Sequence, residues 1–225
     1  MKYPAAMDAL VATYRGLEEL RAEWRERRQE IGARLAEFRR VRHGTDEELF
    51  AELAFCLFAI QTSARRSDDA VRALAANDLL WRGTPPKVAA FLRRRVRFHN
   101  HKAAYLVAAR ERFLGEGVPL RDWLEGSPPQ ELRERLVDEV DGFGYKEASH
   151  FLRNVGRGEQ FAILDRHILK NLRRHCVIRA IPDSLTAKRY LAIEDRVRKF
   201  SRAVRIPMAA LDLVFWSRET GEVFR

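Results

Sequence analysis

The chain holds 35 arginines but only seven lysines, and one of the seven, Lys146, follows a Gly-Phe-Gly turn nineteen positions before Asp165. A position that needs only positive charge would favour Arg about five to one in this composition. The two cations differ in what else they can do. A guanidinium stays protonated at any useful pH, whereas a lysine amine becomes a nucleophile where burial lowers its pKa from about 10.4. Lys146 is therefore a candidate nucleophile, with a solvated helix residue as the plainer alternative. Asp165 precedes the periodic stretch Ile168, Leu169, Leu172 and Cys176. It fits an N-cap, where the helix dipole and free N–H groups favour the carboxylate form. Capping and catalysis are compatible roles.

The elements around Lys146 follow from apolar spacing. Leu132, Leu136, Val137 and Val140 fit one face of a helix ending at Asp141-Gly142. Ala148, Phe151, Leu152 and Val155 recur at i, i+3, i+4 and i+7, which predicts a second helix closed by Val155-Gly-Arg-Gly158. Gly142 can end the first helix in a left-handed conformation. Gly144 leaves the start of the second bare, so its N–H groups and dipole form an anion site that suits a phosphodiester. By itself, Gly-x-Gly between helices is also an ordinary corner.

Helical signals dominate the remainder. Leu10, Tyr14, Leu17, Leu20 and Trp24 predict a charged helix from Met7 to Arg40. Glu47 to Ser63 is apolar nearly all round and predicts a central buried helix, with Thr45 and Glu48 as its capping box. Asp68 to Ala76 is a short helix, and Pro85-Pro86 open a segment running through Leu114. Two more stretches, about 186–204 and 207–217, complete an all-α reading.

A net charge of +10 raises the prior for a polyanionic partner, nucleic acid first, although an arginine-rich proteome gives the same excess. No apolar run approaches the roughly 20 residues that span a bilayer, so no membrane role is expected. The N-terminus is broken early by acidic residues and arginines and lacks a signal-peptide layout, which predicts an intracellular, cytoplasmic protein. Two cysteines, Cys56 and Cys176, cannot supply a disulfide framework or an iron–sulfur cluster. Cys56 reads as a core residue. His99 and His101 lack a third ligand at metal spacing and read as non-metal.

With these elements in place, VDEVDGFGYKEASHFLRN resembles the helix-hairpin-helix of the DNA glycosylase superfamily that includes endonuclease III, and Asp165 matches the aspartate closing that motif. More narrowly, RFHNHKAAYLVAAR, GYKEASHFLRNVG, AILDRHIL and MAALDLVFWSRETGEVFR resemble the archaeal-type 8-oxoguanine DNA glycosylase/AP lyases. The blocks lie in order over roughly residues 47 to 225, and residues 1 to 46 contribute little. The missing cluster separates this chain from endonuclease III itself.

The resemblance implies that Lys146 is the nucleophile and Asp165 its carboxylate partner. Departure of a base develops positive charge on the sugar, which a carboxylate stabilises. Attack at C1′ yields a Schiff base, and β-elimination then cuts the strand 3′ to the lesion. A flipped-out base needs flat walls. The resemblance suggests Phe98 and Trp216, although either aromatic also fits plain core. The family typically ends in a basic residue, usually Lys, near the pocket. Here Arg225 keeps the charge but changes the geometry, and a loose terminus is the alternative. Gly142, Gly144, Arg153 and Arg157 are expected at the DNA backbone, and Arg93, Arg94, Arg95, Arg97 and Lys102 contact phosphates or solvate a helix face. The superfamily hairpin often binds a monovalent or alkaline-earth ion through main-chain carbonyls, here at Val140 and Phe143; no cofactor is otherwise required.

The expectation is thus an all-α protein of two helical lobes flanking a DNA-binding cleft. One lobe comprises residues 1–46 and 159–225, and the other 47–158, ending in the hairpin at about 132–155. It is expected to act as a monomer on double-stranded DNA containing 8-oxoguanine, cytoplasmic and nucleoid-associated. Two rivals stand beside it: a glycosylase for a different damaged base, and a non-catalytic helix-hairpin-helix DNA-binding protein.

Overall fold

The computed structural model describes residues 13–115 and 117–225, and every regular element among them is a helix. The chain divides into two compact units. Phe38–Gly158 form one, and the described residues up to Glu37 join Glu159–Arg225 in the other. The first boundary falls inside a helix, α1 (Leu17–Val41), and so earlier than the predicted 46/47. The reason lies in the last turns of α1. Phe38 carries the Arg153 guanidinium on its ring at 4.6 Å, the Phe38–Arg39 backbone packs against Gly156, and Arg42 pairs with Glu125 at 2.9 Å.

The central unit is built around α2 (Asp46–Phe58), whose residues from Leu49 to Phe58 are all buried except Ala51. Its start is the predicted capping box: Thr45 Oγ1 accepts from Glu48 N at 3.2 Å, and Thr45 N donates to the Glu48 carboxylate at 2.9 Å. A helix buried on nearly every side must be apolar on nearly every side, which FAELAFCLF supplies with Glu52 as its one charged residue. Around it pack α3 (Ala64–Ala76), α4 (Leu79–Arg82), α5 (Pro85–Leu92), α6 (His99–Leu114), α7 (Leu120–Glu125), α8 (Pro129–Glu139) and α9 (Tyr145–Asn154). Asn154 of α9 donates to the buried Glu52 of α2 at 3.0 Å.

The other unit contains most of α1 with α10 (Arg166–Arg174), α11 (Ala187–Val204) and α12 (Met208–Thr220), in which α12 packs on both α10 and α11. His175, fully buried, ties it together. Its Nδ1 faces the Arg15 carbonyl at 2.6 Å and its Nε2 faces Arg218 Nη1 at 2.9 Å. A carbonyl only accepts and a guanidinium only donates, so these partners select the neutral tautomer with the proton on Nδ1. Burial, first of all, lowers the pKa of His175, and Arg218 and Arg174 add to it.

Three predicted helices differ in extent. Of the helix predicted from Met7, Leu10 lies outside the described residues; among those described, Tyr14 precedes α1 and Gly16 turns the chain at φ +64°. The third helix starts at Ala64 rather than Asp68, after an extended Ser63. The segment from Pro85 breaks at Arg93–Phe98, where Val96 goes inward while Phe98 turns outward at φ +55°.

Candidate active site

Lys146 is the second residue of α9, one turn beyond the hairpin. The turn is tight because Phe143 N donates to the Val140 carbonyl at 3.0 Å while Gly142 sits at φ +84°. A Cβ on Gly142 would lie 2.8 Å from the Tyr105 ring and 3.3 Å from the Leu57 side chain, so glycine answers both a conformational and a steric demand. Val140 and Phe143 bury their side chains at 3% and 7% exposure. Gly144 is extended, not left-handed, and an added Cβ would meet nothing closer than the Glu147 carboxylate at 3.5 Å. Its value is openness at the helix start. The first N–H groups of a helix have no intrahelical acceptor, so this end keeps donors for an anion.

The side chain of Lys146 is 22% exposed, and its Nζ lies 3.4 Å from Glu147 Oε1. The same carboxylate accepts from Gly144 N at 3.3 Å through Oε2. Glu147 therefore fastens the helix start and stands beside the amine at once. Sequence reasoning passed over it, though a glutamate three places after a helix-starting residue is a capping signal.

Asp165, in the other unit, caps α10 as expected. Its Oδ1 accepts from both His167 N and Ile168 N at 2.8 Å. The second oxygen, Oδ2, makes no hydrogen bond among the described residues. One atom holds the helix and the other takes no part in the cap. Two places on, the His167 ring stands edge-on to Trp216 at 5.3 Å, with Glu219 Oε2 3.9 Å from its Nδ1. Glu219 also takes hydrogen bonds from Lys170 and Asn171, and the Lys170 bond chiefly holds its carboxyl below the usual range. Trp216 is half-buried, and its indole N–H has no acceptor among the described residues. Arg218, two residues beyond Trp216 on α12, is fixed by a bidentate pair with Glu23 and a bond to Asn171 at 2.6 Å. Arg225 is half-buried.

Phe98, in the central unit, is 49% exposed, an unusual state for a large apolar ring and the opposite of plain core. Arg93, Arg94, Arg95 and Arg97 are exposed as well, with Arg95 folded over Phe91 at 4.1 Å.

Three residues expected at the DNA surface lie elsewhere. Arg153 is buried at 3% exposure, its guanidinium over the Phe38 ring, because its position on α9 faces inward onto α1. Arg157 pairs with Glu125 at 3.0 Å and donates to the Ser127 carbonyl at 2.7 Å, so its charge is already satisfied within the protein. Lys102 neither contacts solvent nor coats a helix face; it is 2% exposed. His101 leans on Tyr105 at 6.1 Å, and no group of three or more His, Cys, Asp or Glu among the described residues could hold a metal. An ion at the hairpin would have to use main-chain oxygens. The Val140 carbonyl gives one lone pair to Phe143 N and retains the other, a donor suited to a hard monovalent or alkaline-earth cation.

Comparison with known proteins places this geometry in context. Residues 31–206 match the family model described as 8-oxoguanine DNA glycosylase. A curated 8-oxoguanine DNA glycosylase/AP lyase of Fusobacterium nucleatum is 40% identical over 210 residues, covering 92% of this chain and 96% of the relative. One from Methanocaldococcus jannaschii is 35% identical over 201 residues, covering 87% and 91%. The crystal structure of the 8-oxoguanine DNA glycosylase of Thermotoga maritima superposes with a TM-score of 0.83 at 34% identity, over 97% of this chain and all of that one. The M. jannaschii 8-oxoguanine glycosylase/lyase, crystallised with a 15mer DNA containing 8-oxoguanine, gives the same TM-score at 32% identity.

Proposed function

The chain belongs to the 8-oxoguanine DNA glycosylase/AP lyase family, and from that premise we propose that Lys146 and Asp165 carry its chemistry. It is a base-excision-repair enzyme that removes 8-oxoguanine from DNA and nicks the abasic product. The unprotonated Lys146 amine forms a bond to C1′ as the C1′–N9 bond breaks and the base departs. Positive charge develops on the sugar during that exchange, and the free Oδ2 of Asp165 is the group that stabilises it. Ring opening gives the Schiff base. Loss of a C2′ proton then expels the 3′ phosphate, which completes β-elimination. The observation that carries this reading is an Asp165 whose cap uses one oxygen only, together with a lysine held at the open start of a hairpin helix.

The exposed ring of Phe98 and the half-buried Trp216 support their assignment as stacking walls for the flipped base. Arg225 is assigned to the base pocket, and Gly142 and Gly144 to a backbone phosphate through the α9 start. A monovalent or alkaline-earth ion on the carbonyls of Val140 and Phe143 would brace that turn. The DNA substrate supports a cytoplasmic, nucleoid-associated location, and a monomer suffices for the chemistry. No helix among the described residues is long and apolar enough to cross a membrane.

The deciding experiment is borohydride trapping on an 8-oxoguanine duplex with the parent and Lys146→Gln. We expect a covalent adduct with the parent alone. An adduct that survives the substitution removes Lys146 from the mechanism. Excision of a panel of other damaged bases with 8-oxoguanine left intact would reassign the substrate.

A further inference from the structure

Lys102 shares with Lys146 the status of a rare lysine, yet the reaction gives it no part. It lies near the start of α6, in the central unit, and is 2% exposed. Its Nζ donates to the Phe58 carbonyl at 2.7 Å, the Ile60 carbonyl at 2.6 Å and Thr62 Oγ1 at 3.1 Å, which uses all three N–H groups of an ammonium. Phe58 ends α2 and Ile60 lies two residues past it, so the ammonium sits at the carbonyl end of the central helix, where the dipole favours a cation. The bonds tie α6 to α2 at the point where α2 stops.

The hairpin turn rests on those same two helices. The Tyr105 ring that meets Gly142 is one turn along α6 from Lys102, and the Leu57 side chain on the other side immediately precedes Phe58. Lys102 also feels the charges of Lys146 and Glu147 from α9 and of Arg97 from the segment before α6. An ammonium is an expensive core residue, and a methionine of similar length would fill the space without the desolvation penalty. Charge at this site serves geometry better than it serves stability.

We propose that Lys102 is a positioning residue for Lys146: its ammonium clamps the end of α2 to α6 and so fixes the seat of the turn from which the nucleophile projects. The proposal rests on the reading of Lys146 as nucleophile. Burial first, then the charges of Lys146 and Arg97, lower the pKa of Lys102 to about 8, against the raising influence of Glu147. Below that pH it holds three acceptors with three N–H groups. Above it, a neutral amine has only two N–H groups to offer, and the clamp loosens.

The test compares the parent, Lys102→Met and Lys146→Gln in single-turnover borohydride trapping on an abasic duplex across pH, alongside thermal melts and duplex affinity. For Lys102→Met we expect a folded protein that retains duplex affinity but traps roughly 10- to 100-fold more slowly, the scale of a misplaced reacting group. The parent profile should break near pH 8, and the variant should lack that break. Thr62→Val, which removes one acceptor, should show a smaller loss in the same direction, and it decides the matter by the same readouts if Lys102→Met does not fold. Parental trapping rates and an unchanged pH profile in the folded variant would overturn the clamp, as would slowing that only tracks the unfolded fraction. Trapping that persists in Lys146→Gln would instead overturn the nucleophile itself, and the clamp with it.

Discussion

Lys146 and Arg153 lie seven positions apart on one helix, and the sequence treats them very differently. The lysine stands out because arginine outnumbers it five to one, so it is a candidate nucleophile before any fold is known. Arg153 looks like one more cation beside a DNA-binding hairpin, and nothing local reveals that Phe38, far away in the chain, receives its guanidinium. Its replacement by Ala should therefore cost about 2–4 kcal/mol in a denaturant titration while the salt dependence of DNA binding stays unchanged. Asp165→Asn preserves an oxygen for the cap and removes the charge. We expect a normal thermal melt, retained duplex binding and excision slowed by roughly 100- to 1000-fold. Collapse of the fold would show that the carboxylate serves α10 alone. Glu147 was missed because it looks like an ordinary helix residue, although its spacing from Gly144 is a capping signal, and Lys102 was read as part of a basic run because nothing local marks it as buried.

At the scale of elements, the two caps read from sequence, the Thr45–Glu48 box and the Asp165 cap, both form, because each partner lies within three residues. The hairpin turn was likewise readable, but the surface beneath it was not. Gly142→Ala adds a left-handed strain to a collision with Tyr105, and we expect a loss of about 1–3 kcal/mol by thermal melt, with slower trapping. The helices α10 and α12 depend on a neutral His175 whose folded pKa is lowered from 6.5. The unfolded chain then binds the proton more readily, so stability falls as pH drops below about 6.5 and continues to fall until the folded pKa is passed. His175→Gln should flatten that stretch of the curve in melts between pH 7.5 and pH 5. A parallel curve in the variant would assign the acid sensitivity to other groups.

Over the whole molecule, a charge of +10 on an enzyme of DNA predicts binding that weakens steeply with salt. Arg93 and Arg94 are exposed, and removing both should reduce the log–log salt slope by up to about 0.9 for each phosphate they neutralise. An unchanged slope would make them solvating residues only. The all-helical composition, the hairpin, the lysine at its exit and the capping aspartate were determined by the sequence itself. They depend on spacing of 3 to 4 residues, on glycine's conformational freedom and on the difference between an amine and a guanidinium, all of which are local properties. Tertiary structure decided which cations face water and which are held inside, that Phe98 stands exposed, and that the first unit boundary cuts through α1 at Glu37–Phe38. Those outcomes turn on which distant side chain or carbonyl a group meets, and no pattern confined to neighbouring residues encodes that meeting.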